Sequence, residues 1–138
     1  MIHSGFNELK KAYRLHRDAS LETKGISSCL LLFYAVECGL KSLYLRRNNF
    51  RTTKQIIKNH GHDLNQWIKV LRLPAYLCGR HSFCLERDRN KKGGVKKESI
   101  QNAHQAWRYG VTMESGDEIK ILQWLKSISQ WISEESVK

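Results

Sequence analysis

The sequence predicts an all-α fold, a bundle of four to five helices forming one domain across residues 1–138. Three observations carry that prediction. The chain has one proline in 138 residues, and proline interrupts helices and punctuates turn-rich β folds. Apolar residues recur at helical spacing through most of the sequence. The length gives one ordinary domain with a core of its own, and no repeat or shift of composition divides it. Hydrophobic residues at 41% and charged residues at 27% describe a globular chain, not a disordered one.

The first helix is expected from about Asn7 to Leu21, with Phe6, Leu9, Tyr13 and His16 at helical spacing. The second runs from about Ser27 to Arg47 and is the most apolar segment, which makes it the central helix. It ends in Arg46-Arg47-Asn48-Asn49, with cations at the negative end of the helix dipole. The third starts after Gly61. Asp63 is its N-cap, Gln66 completes a capping-box pattern, and Leu64, Trp67, Ile68 and Leu71 form the stripe before Pro74. A fourth helix is expected from about Glu98 to Tyr109, closed by Gly110. The fifth, from about Glu114 to Ser133, carries Ile121, Trp124, Leu125, Ile128, Trp131 and Ile132, the strongest amphipathic stripe in the chain.

Lys and Arg number 24 and Asp and Glu 13, a formal charge of +11. That balance favours an acidic partner, with RNA or a nucleotide first. The cations concentrate at about residues 85–97, where Arg87, Arg89, Lys91, Lys92, Lys96 and Lys97 surround Gly93 and Gly94 in an expected loop or hairpin tip. No stretch is expected to be long enough to span a membrane, the longest apolar run being Cys29 to Val36. The N-terminus lacks the form of a signal peptide, and the cysteines do not read as a disulfide framework, so a cytoplasmic setting is expected.

Four constellations bear chemistry. Glu37 and Lys41 are an i, i+4 ion pair within the apolar central helix, where a lone carboxylate is costly. His60-Gly61-His62-Asp63 opens the third helix. There Asp63 caps, and His62 is placed to pack on Trp67. Cys78, His81 and Cys84 lack a fourth metal ligand and a zinc-type spacing. Lys97, Gln101, His104 and Arg108 fall on one face of the expected fourth helix, where one imidazole and one guanidinium make a phosphate grip. No metal and no cofactor are expected, and there is no Gly-rich phosphate loop.

The residues Ala35-Val-Glu37-Cys-Gly-Leu40-Lys41, then Gly61-His62-Asp63-Leu64, then Trp107-Arg108-Tyr109 resemble, in order and spacing, the HEPN superfamily of small α-helical domains. The resemblance spans about Leu31 to Tyr109. It implies a homodimeric bundle in prokaryotic toxin–antitoxin, phage-defence or RNA-processing systems. Active members carry Arg, four to six residues, then His. In this chain no Arg stands at that distance before any histidine, and the nearest imitation is Lys97 before His104.

Three functions follow. The first is a module binding RNA or a nucleotide, with Lys41, His62, Arg87, Arg89, Lys91, Lys92, Lys96, Lys97 and Tyr109 on phosphate, and Glu37 and Asp63 orienting. The second is a metal-independent endoribonuclease with His104 as acid/base and Arg108 on the phosphate. The third is a protein-interaction subunit, an antitoxin or counter-defence factor whose basic surface meets an acidic protein, with a neighbouring gene as one source of that partner. The wide Trp124/Trp131 edge of the last helix is expected to form the homodimer contact.

Overall fold

Helical periodicity becomes five α-helices in the computed structural model of the chain, which describes residues 2–56, 62–79, 82–88 and 96–138. They are α1 (Phe6–Glu22), α2 (Ile26–Arg47), α3 (Leu64–Leu71), α4 (Ala103–Arg108) and α5 (Ser115–Ser136). Two short antiparallel strands, β1 (Ser82–Cys84) and β2 (Lys97–Ser99), add a small hairpin.

The α2 helix is the axis of the fold. It packs against α1, α3, α4 and α5, which is why its apolar residues lie on nearly every side and not on one stripe. Phe33, Ala35, Val36, Leu40 and Leu45 are fully buried. Contrary to expectation, α2 is long and apolar enough to cross a membrane, with a mean hydropathy of 1.4 over its most apolar window. The neighbouring helices account for that composition here.

A three-residue turn reverses the chain between α1 and α2. The Ser20 hydroxyl donates to the Ser28 carbonyl, and the Ser28 hydroxyl to the Ser20 carbonyl, each at 2.8 Å. The α5 helix crosses α2 at Gly39. A Cβ at Gly39 would stand 2.8 Å from Ile132 Cγ2 and 3.0 Å from Tyr13 Cδ1, so glycine is what allows the three helices to meet. The Tyr13 hydroxyl bonds the Ser129 carbonyl at 2.8 Å and Ser133 Oγ at 2.7 Å across the same junction.

The third helix starts where Asp63 accepts from the Asn65 N–H at 3.2 Å. Gln66 sends no side-chain bond back to Asp63, so the expected capping box does not close. Arg72, with φ +54°, terminates α3 ahead of Pro74.

The expected fourth helix, Glu98 to Tyr109, is corrected most. Its first residues pair in β2 with β1, in the register Ser82–Ser99, Phe83–Glu98 and Cys84–Lys97. A single 3-10 turn, Ile100–Asn102, precedes the six residues of α4. Backbone hydrogen bonds to a distant strand take precedence over local periodicity. The Cys84 carbonyl also accepts from the Glu114 N–H at 2.8 Å, which ties the hairpin to the start of α5.

The Trp124/Trp131 edge is corrected as well. Both rings are buried within the chain, at 9% and 7% exposure. The Trp124 indole N–H donates to the Leu77 carbonyl at 2.6 Å, and the Arg47 guanidinium lies over Trp131. The surface on which the expected twofold contact rested is therefore filled by the bundle itself.

Candidate functional site

At the meeting of α2, α3 and α4 a row of titratable groups runs from the core to the surface. Glu37 begins it. Its side chain projects from α2 and is buried to 7% exposure, a position that costs several kcal/mol for an unpaired carboxylate. Two cationic or polar neighbours offset that cost. Lys41 Nζ, one turn along α2, sits 3.1 Å from Glu37 Oε2. His62 Nδ1, two residues before α3, sits 2.5 Å from Glu37 Oε1. Burial alone would push the Glu37 carboxyl up. The hydrogen bond with His62 and the charge of Lys41 overcome it and leave the group below the usual carboxylate range.

His104 is packed against this pair. Its ring centroid lies 4.1 Å from that of His62 and 5.3 Å from that of Phe33. The ring is buried, with 3% exposure, and its Nδ1 has no hydrogen-bond partner among the described residues. Burial, then the charges of His62 and Arg108, push it down to about 4. Burial thus favours the neutral imidazole of His104 at pH 7, a form that can accept a proton but has no imidazolium proton to give.

Arg108 lies one turn beyond His104 on α4. Its guanidinium is hydrogen-bonded to the Tyr34 hydroxyl and sits over the Tyr34 ring. Tyr34 in turn lies 6.4 Å from His104. Tyr34 was not among the residues singled out from the sequence. Its signal was its place three residues before Glu37, on the same face of α2.

The structure thus brings Glu37, Lys41, His62, His104 and Arg108 into one cluster. His62, with 46% of its side chain exposed, is the imidazole that meets solvent. It faces Glu37 and His104, and Trp67 stacks edgewise on Tyr44. Asp63 serves as the α3 cap.

Other expected members lie elsewhere. Tyr109 is 69% exposed in a hollow with Arg87 and Glu98, its ring beneath the Arg108 guanidinium. Lys97 and Gln101 do not share a helical face with His104 and Arg108, because Lys97 is in β2 and Gln101 in the 3-10 turn. Lys96 is exposed and pairs with Glu98 at 3.4 Å. Arg89, Lys91 and Lys92, with His60 and His81, lie outside the described residues. Among the described residues, no three His, Cys, Asp or Glu side chains converge as a metal-ligand set.

Fold and site together define an all-α domain with a carboxylate-oriented imidazole beside an exposed arginine. No family model, curated protein or solved structure matches the chain.

Proposed function

We propose that this protein is a HEPN-like module that binds RNA through its phosphates on the α3–α4 face, in a cytoplasmic defence or toxin–antitoxin setting. The observation that carries the reading is the pairing of His62 with buried Glu37, next to an exposed Arg108 steadied by Tyr34. A planar guanidinium donates to a phosphodiester, and an imidazole held at a fixed angle by a carboxylate does so in its imidazolium form. The formal charge of +11 supplies long-range attraction.

Fluorescence anisotropy with labelled RNA at two salt concentrations tests this. Changing Arg87, Lys96 and Lys97 to Gln should weaken binding and flatten its salt dependence, because fewer counterions are released. Arg108→Ala should weaken binding with little change of slope. Binding equal to wild type in both variants removes the nucleic-acid reading and favours an acidic protein partner.

A second reading has its own observation. Glu37 and His62 form a carboxylate–imidazole pair, the arrangement that fixes a ring for proton transfer. A metal-independent ribonuclease would use His62, and not His104, as acid/base, with Arg108 on the phosphate. RNA cleavage in the presence of EDTA, abolished by His62→Ala, is the expected result. Cleavage that survives His62→Ala rejects that assignment.

A further inference from the structure

A hollow of about 190 Å³ lies between β1, the 3-10 turn and α4, on the flank of α4 turned away from His104. Its floor is apolar and includes Phe83, Ala106 and Val111. Its rim carries Arg87, Glu98, Asn102, Gln105 and Tyr109. Asn102, Gln105 and Tyr109 follow one another at i, i+3 and i+7, so they line one side of the opening. The side-chain amides of Asn102 and Gln105 make no hydrogen bond among the described residues, nor does the Arg87 guanidinium. Among the described residues the Glu98 carboxylate pairs only with Lys96, whose side chain is 69% exposed, and surface pairs of that kind are easily exchanged.

We propose that this hollow takes one unpaired nucleobase that carries an exocyclic amino group. The inference rests on the RNA reading above for its biological sense, but not for its chemistry. Flat apolar floors bordered by convergent polar groups are what small planar ligands need. Tyr109 offers a stacking face, as aromatic side chains do for splayed bases. Carboxamides match the paired donor and acceptor of an adenine edge, and a carboxylate accepts from the amino group of cytosine or adenine. Uracil presents carbonyl oxygens at those positions, and these repel the Glu98 carboxylate. The Arg108 guanidinium lies over the Tyr109 ring, 5.9 Å from its centroid. Base hollow and phosphate grip therefore meet at one aromatic ring, on two flanks of a single short helix.

The test follows the side-chain amide NMR signals of Asn102 and Gln105 in 15N-labelled protein during titration with adenosine, cytidine or uridine. Adenosine and cytidine should shift both signals saturably, and uridine should bind about tenfold more weakly. Tyr109→Ala should weaken adenosine about tenfold. No shift with any nucleoside, equal shifts with all three, or indifference to Tyr109→Ala overturns the inference. The RNA reading fails separately: wild type that takes adenosine but not labelled RNA keeps the base hollow and removes RNA as its ligand. Wild type that binds RNA with no nucleoside shift removes the hollow alone.

Discussion

Where α1, α2 and α5 cross, Tyr13 is buried to 3% exposure and its hydroxyl is bonded to the Ser129 carbonyl and Ser133 Oγ. Where α2, α3 and α4 meet, His104 is buried to the same degree, yet its Nδ1 has no partner among the described residues and the adjoining His62 is open to solvent. Both junctions put polar groups against the same apolar helix. The first closes its hydrogen bonds internally and so contributes to packing. The second leaves a partly exposed imidazole and an exposed guanidinium, and its internal carboxylate orients one of them. Buried polar groups that are fully bonded hold a fold together, whereas an incompletely bonded set beside solvent has valences left for a ligand.

The comparison breaks first at Gly39. Gly39→Val forces a side chain into Ile132 and Tyr13, and should cost about 4 kcal/mol through overpacking at the helix crossing. Chemical denaturation measures it, and a variant as stable as wild type would mean the helices separate without penalty. RNA binding should fall only as far as the folded fraction falls.

Next in size is the acid response of the other junction. His104 is held down to about 4, against an ordinary 6.5, so the unfolded chain takes up that proton first. The stability due to neutral His104 is present above pH 6.5 and is lost as pH falls from 6.5 toward 4, by about 3 kcal/mol in all. Glu37, also lowered, adds a loss at still lower pH as it protonates. Denaturation midpoints across pH 4 to 7 should decline for wild type and stay nearly level above pH 5 for His104→Phe. An equal decline in both would put the titrating group elsewhere.

Tyr13→Phe should cost about 1 kcal/mol, the usual worth of a buried hydroxyl's hydrogen bonds, and should leave RNA affinity unchanged. Arg108→Ala, on the exposed side of the second junction, should leave the denaturation midpoint nearly unchanged while lowering RNA affinity. If the two variants exchanged these effects, the structural and ligand-facing assignments would be reversed.

Much of the bundle was legible before the structure. The α5 stripe, the Asp63 start of α3 and the buried Glu37–Lys41 pair are local features, and local features show in periodicity and spacing. Glu98 and Ser99, expected to open a helix, are strand because their determinant is β1, fifteen or more residues earlier in the chain, which no helical window includes. His104 was read as a solvent-facing acid/base because an imidazole spaced with Lys97 and Arg108 looks polar. What buries it is Phe33 and Tyr34 from α2. Tyr109 follows Arg108 in sequence and meets it in space, its ring 5.9 Å from the guanidinium, but one residue along a helix is a rotation of about 100°, which also brings the ring to the hollow with Arg87 and Glu98.

The reciprocal bonds between Ser20 and Ser28 join residues eight apart, whereas Tyr13 reaches Ser133 across 120 positions. Contacts so different in loop length form at different moments, because a short loop closes at small entropic cost. The α1–α2 hairpin is therefore expected in the rate-limiting ensemble of folding, with α5 docking on the descent from it. Ser28→Ala should slow refolding in stopped-flow measurements, while Ser129→Ala should chiefly hasten unfolding. One pair of serines at a tight turn would then set how fast the molecule assembles, and the distant helix how long it stays assembled.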